Sequence, residues 1–100
     1  MRNQITLIGN MGQNPMVTNF DNGAKVVRFN LATESIVNGE KKAEWHKVFA
    51  WGNIAQFIEN FGSKGKKIVL TGKVVNRTYT SKAGKPRKIT EVEIRHVIGL

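Results

Sequence analysis

Residues 45 to 51 read Trp-His-Lys-Val-Phe-Ala-Trp, and the chemistry open to them depends on their conformation. In an extended strand alternate side chains share a face, so Trp45, Lys47, Phe49 and Trp51 project one way and His46, Val48 and Ala50 the other. Flat aromatic surface interleaved with a cation is what stacking on nucleobases and neutralising the phosphates between them requires. A core has no use for a lysine in that row. The competing reading makes Trp45, Phe49 and Trp51 core residues with Lys47 snorkelling at the edge. Against it, His46, Val48 and Ala50 already offer an inner set. Phe49, mid-strand in a curved sheet, is the member of the row that could bridge groove and core.

A second cluster runs from Lys64 to Lys88: nine basic residues, Lys64, Lys66, Lys67, Lys73, Arg77, Lys82, Lys85, Arg87 and Lys88, with no acidic one among them. Charge runs are commonly just solvated faces. This one contains Tyr79, and an aromatic inside a basic hairpin suits a clamp over a nucleic-acid strand, although Tyr also serves as a cross-strand packing residue. The candidate contact residues are therefore Trp45, Lys47, Phe49, Trp51, Lys67, Lys73, Arg77 and Tyr79, with Arg28 and Arg87 as further cations.

Catalytic signals are poor. The two histidines, His46 and His96, are fifty residues apart on expected strands, with no cysteine and few carboxylates to complete a metal site or a triad. Gly62-Ser63-Lys64-Gly65 lacks the spacing of a phosphate-binding loop. The expectation is a non-enzyme with no catalytic residue, metal or cofactor, in which His46 is a hydrogen-bonded residue at an interface.

The elements that must hold these residues follow from period and punctuation. Residues 3 to 9 are a strand rich in Ile and Leu, closed by Gly9, Gly12 and Pro15, with Met16 to Phe20 continuing past a bend. Asp21-Asn22-Gly23 is a turn. From Lys25 the chain alternates, Val27, Phe29, Leu31 and Thr33 on one face and Val26, Arg28, Asn30 and Ala32 on the other. Asn38-Gly39 marks a second tip, and Ala43 to Trp51 the next strand. Asn53 is a candidate N-cap for a short helix whose stripe is Ile54, Phe57, Ile58 and Phe61, ended by Gly62. Ile68 to Asn76 and Thr90 to Ile98 are the last strands, joined by a basic hairpin around Ala83-Gly84. Three strands, a helix and two strands is the order of an OB-fold: all-β with one short helix, a five-stranded barrel filling residues 1 to 100 as a single domain.

The bulk properties agree. One hundred residues suffice for one small core. Sixteen Lys and Arg against seven Asp and Glu leave a charge of +9, which favours a polyanionic partner. Ten of those cations fall in the second half against six in the first. The absence of cysteine excludes a disulfide framework and fits a reducing cytoplasm. No signal-peptide run, membrane-length stretch or basic amphipathic helix is visible, so a membrane is not an expected partner.

Along nearly its whole length the sequence resembles the bacterial single-stranded DNA-binding protein family. The matching segments are the opening Asn3 to Pro15, Leu31-Ala32-Thr33, Glu44-Trp45-His46, Trp51-Gly52-Asn53-Ile54-Ala55, Lys64-Gly65 and Thr71-Gly72, in the family's order and spacing. The resemblance implies an OB-fold homotetramer that wraps single-stranded DNA without sequence preference in replication, recombination and repair. It implies stacking roles for Trp45, Trp51 and Tyr79, groove positions for Lys47, Lys73 and Arg77, and a subunit interface at His46, joined there by Gln4 and Thr6 of the opening strand. Where the family often has another stacking aromatic, Ile36 or Val37 stands here. Family members typically continue into a flexible linker and an acidic tip that recruits replication and repair proteins, so such partners are expected only of a tail beyond Leu100. Two alternatives remain open: the dimeric primosomal replication protein N family, whose members would bridge replication proteins, and an OB-fold that binds RNA.

Overall fold

The computed structural model describes residues 2–100. Its elements in chain order are β1 (Ile5–Met11), β2 (Met16–Asn19), β3 (Lys25–Val37), β4 (Glu40–Trp51), α1 (Gly52–Phe61), β5 (Lys67–Thr80) and β6 (Pro86–Gly99). Five strands close on themselves in the order β1-β5-β6-β4-β3, with β1 returning to pair with β3. The β4–β6 pairing is parallel and the others are antiparallel. The architecture is thus the expected all-β barrel with one helix. β2 pairs only with β3, Met16 opposite Arg28 and Asn19 opposite Lys25, and forms a separate hairpin strand rather than an extension of β1.

The alternating pattern of the strands puts one side of each into the barrel. Val27, Phe29 and Leu31 of β3 meet Val48 and Ala50 of β4, Ile68 and Leu70 of β5, Val92 and Ile94 of β6, and Leu7 and Met11 of β1. Full burial of one such aliphatic side chain stabilises the fold by about 1.5–3 kcal/mol. Helix α1 packs Ala55 and Ile58 on this core, with Ile54 and Phe61 partly buried beside them. The expected stripe is rotated: Phe57 is 42% exposed and stacks on Phe61, ring centroids 5.3 Å apart, while Ala55 is fully buried in its stead. Ala55 carries too small a side chain to weigh in a hydrophobic pattern, whereas Phe57 weighs heavily wherever it points.

The helix also begins earlier than an Asn53 cap implies. Gly52 takes φ 63°, a left-handed conformation that a side chain disfavours, and turns the chain from β4 directly into the first helical turn. Trp51 occupies the N-cap position without a side-chain cap bond. The helix is tied to β3 by Lys25, whose ammonium donates to Gln56 at 2.7 Å and pairs with Glu59. Beyond the barrel β3–β4 and β5–β6 continue as two hairpin arms, ending at Asn38-Gly39 and at residues 81 to 85.

Candidate nucleic-acid interface

The register of β3 against β4 builds one continuous outer face. Opposite pairs Ala32–Trp45, Asn30–Lys47, Arg28–Phe49 and Val26–Trp51 stand side by side, and β2 extends two of the rows with Met16 beside Arg28 and Thr18 beside Val26. Trp45 and Trp51 are six residues apart on one strand, a span of about 20 Å. Trp45 is 61% exposed and Trp51 45%. Both rings therefore face solvent, which removes the core reading for the two tryptophans.

Phe49 behaves differently. It points to the same face, yet only 7% of its surface is exposed. The Arg28 guanidinium lies over the ring, 5.1 Å from its centroid, in cation–π geometry. An aromatic covered by a cation offers no free face, so Phe49 is a floor beneath the groove rather than a stacking surface.

Glu91 joins the two halves of this face. On β5 the residues Lys73, Val75, Arg77 and Tyr79 alternate outward, opposite Glu93, Glu91, Ile89 and Arg87 of β6. Glu91 accepts from Arg28 Nη1 at 2.6 Å and from Arg77 Nε at 2.5 Å, bridging β3 to β5. It is buried, 4% exposed, while the arginines remain half open to solvent. Two guanidinium groups on one carboxylate satisfy its acceptor oxygens and leave the triad with one net positive charge. Gln13, Met16, Asn30 and Lys47 line a hollow of about 210 Å³ together with Arg28 and Glu91. Tyr79, 52% exposed, stands on the β5–β6 arm beyond Arg77, with Arg87 opposite it.

The remaining candidates are dispersed. Lys67 pairs with Asn10 and lines a hollow with Ile8, Ala32 and Glu34 on the β1–β3 seam. Lys73 shares the outward side of β5 but borders a larger hollow with Arg2, Gln4, Arg95 and His96. His46 points away from Trp45 and is half-buried, its Nε2 3.0 Å from the Thr33 hydroxyl. Gln4 and Thr6 lie elsewhere, Thr6 on the outer side of β1 with its hydroxyl 3.3 Å from that of Thr71, so one protomer does not bring them to His46. Ile36 and Val37 are exposed on the β3–β4 arm, 73% and 43%.

Sequence reasoning missed Glu91 and the covering of Phe49 by Arg28. Glu91 stands three residues after the acid-free basic run and alternates with Val92 and Ile94, a signal of a carboxylate on the outward side of a strand; of its partners, Arg77 lies on the preceding strand and Arg28 63 residues away on β3. Among the described residues no group of three or more His, Asp or Glu could hold a metal ion, and no helix is long and apolar enough to cross a membrane.

With this geometry in place, the sequence matches the Single-strand binding protein family over residues 2–100. The chain belongs to that family. A single-stranded DNA-binding protein of Bacteroides thetaiotaomicron is 38% identical over 97 residues, covering 90% of this chain and 60% of that protein. Single-stranded DNA-binding protein 1 of Xylella fastidiosa is 33% identical over 96 residues, covering 90% of this chain and 71% of that one. Against the first, then, the chain spans less than two thirds of the relative's length. Among solved structures, a Plasmodium falciparum SSB complex with ssDNA has a TM-score of 0.90 at 28% identity, covering 100% of this chain and 96% of that one. These matches do not favour the primosomal alternative.

Proposed function

We propose that this chain binds single-stranded DNA without sequence preference, laying the strand along the outer face from Trp45 to Trp51 and under the Tyr79 arm. The observation that carries the reading is the exposure of three aromatic rings on one cation-bearing face of an otherwise well-filled barrel. Every base has a π-face, so such a surface holds bases irrespective of sequence, while Lys47, Arg28, Arg77 and Arg87 meet the phosphates. The two carboxylates of β6 on that side are compensated, Glu91 by Arg28 and Arg77 and Glu93 by Arg95 at 3.4 Å. Protection of single strands in replication, recombination and repair follows from such binding. A protein without cysteine suits the reducing cytoplasm, where we place it.

Assembly belongs to the same proposal. The outer side of β1, β5 and β6 carries an apolar row, Ile8 opposite Val69 and Val69 opposite Ile98, with Ile8 56% and Ile98 63% exposed. Thr6, with Thr71 and His96, forms the adjacent row, and Gln4 lines the hollow beyond it. An exposed apolar strip on one sheet face favours self-association, as a homotetramer or a dimer.

Tryptophan fluorescence during titration with oligo-dT, with the oligomer mass measured alongside, tests the reading. Saturable quenching that Trp45→Ala weakens supports it. Equal or tighter binding of a matched RNA oligonucleotide in competition would replace it with an RNA-binding function.

A further inference from the structure

We propose that Phe20 is an additional base-stacking residue, which with Trp51 forms a two-ring column carrying the single strand past the end of β4 onto the β2–β3 hairpin. The inference rests on the single-strand reading of the outer face and extends it to a segment with no assigned role.

Phe20 follows the last residue of β2, and its backbone is fixed on both sides of the turn. Its N–H donates to the Ala24 carbonyl at 2.8 Å, and its carbonyl accepts from the Gly23 N–H at 3.0 Å. The ring stacks on Trp51, centroids 5.9 Å apart and planes inclined by 29°. Neither ring is used up by the contact, for each remains 45% exposed. A phenylalanine whose purpose was packing would turn into the core, but the strand below it already faces Val17 inward onto that core. Beside Trp51 lies a hollow of about 440 Å³ bordered by Gly23, Ala24, Lys25, Gly52, Asn53 and Gln56; its one charged side chain, Lys25, is held by Gln56 and Glu59, and the rest are small or uncharged and leave room for a planar ring. The column therefore continues the row of Trp45, Lys47 and Trp51 across the sheet, with one open ring at its end.

The charges at this end differ from those along the groove. Asp21 is adjacent in sequence, and the nearby Lys25 is occupied by Glu59 and Gln56. Phe20 accordingly stacks a base without a cation to neutralise the neighbouring phosphate. Its contribution appears in affinity and not in salt dependence, and only for strands long enough to reach it.

The test is a titration of wild-type protein, Phe20→Ala, Phe20→Trp, Trp45→Ala, Trp51→Ala and the Phe20→Ala/Trp51→Ala double variant with oligo-dT of increasing length, read by quenching and by competition. Phe20→Ala should match wild type on the shortest oligonucleotides and lose about 5- to 150-fold once the length passes a threshold, the range of one base–aromatic contact. The salt slope should not change, Phe20→Trp should keep wild-type affinity, and a thermal melt should show each variant folded. Phe20→Ala should still weaken binding in the Trp51→Ala background. No further loss there would show that Phe20 only props Trp51, and a Phe20→Ala variant equal to wild type at every length would likewise overturn the proposal. If Trp45→Ala is also without effect, the single-strand reading of the face falls as well; if Trp45→Ala weakens binding while Phe20→Ala does not, only the extension fails.

Discussion

The ring of Trp45 lies against the α-carbon of Gly12: a Cβ added at position 12 would stand 2.9 Å from Trp45 Cη2 and nearer still to Cζ3. The glycine cannot retreat easily, because its N–H donates to the Asn30 carbonyl of β3 at 2.8 Å. The exposed tryptophan must yield instead. Gly12→Ala should therefore move the ring and weaken oligo-dT binding by up to the worth of one stacking contact, about 1–3 kcal/mol. The melting temperature should stay near that of wild type. A melt that drops sharply with affinity intact would mean that the close approach serves packing and not the placement of the ring.

Phe49 separates from the tryptophans on the same strand in the opposite sense. Its ring is buried beneath Arg28, so Phe49→Ala should open a cavity and destabilise the barrel by about 3–5 kcal/mol, lowering the melting temperature by more than about 10 °C. Trp45→Ala and Trp51→Ala should melt within a few degrees of wild type, since their rings stand in solvent. Calorimetry on the three variants distinguishes floor from platform, and a stable Phe49→Ala protein with impaired binding would restore Phe49 to the stacking row.

Glu91→Gln tests the joint between the two halves of the face. The carboxylate cancels one of the two charges of Arg28 and Arg77, so its amide replacement raises the local charge from one to two. The log–log salt slope should become steeper by about 0.7, with tighter binding at low salt. Stability should fall only modestly, by about 1 kcal/mol, because both arginines are half exposed and regain water. A shallower slope would mean that Glu91 holds the arginines in the geometry phosphates need.

Much of this was legible in the residues because local pattern decides it. Alternation around Trp45 fixes which side chains share a face, and Asp21-Asn22-Gly23, Asn38-Gly39 and Gly62 punctuate the elements, so barrel and tryptophan row could be read directly. What could not be read depends on contacts between segments far apart in sequence. Arg28 and Glu91 are 63 residues apart, and only barrel closure brings them together to cover Phe49. Lys67 and Lys73 look equivalent in a basic run, but the barrel's curvature turns them toward different hollows. Charge counts give the sign of a face and not its borders.

The salt dependence of binding draws these charges together. Each phosphate neutralised on a single strand releases condensed counterions and contributes about −0.7 to the slope of log affinity against log salt. Stacking contributes nothing to that slope. The triad of Arg28, Glu91 and Arg77 supplies one net charge. If Lys47, Lys73, Arg87 and one more cation of the basic run each meet a phosphate, the total is about five contacts and the slope about −3.5 per protomer. Raising salt from about 50 to about 200 mM should then weaken binding about 100-fold. Lys47→Ala should make the slope shallower by about 0.7. Trp45→Ala should lower affinity at every salt concentration and leave the slope unchanged. The two classes of residue are thereby separated in one titration series, and a Trp45→Ala variant that lost slope while keeping its affinity would show that the rings and the cations do not divide the work in this way.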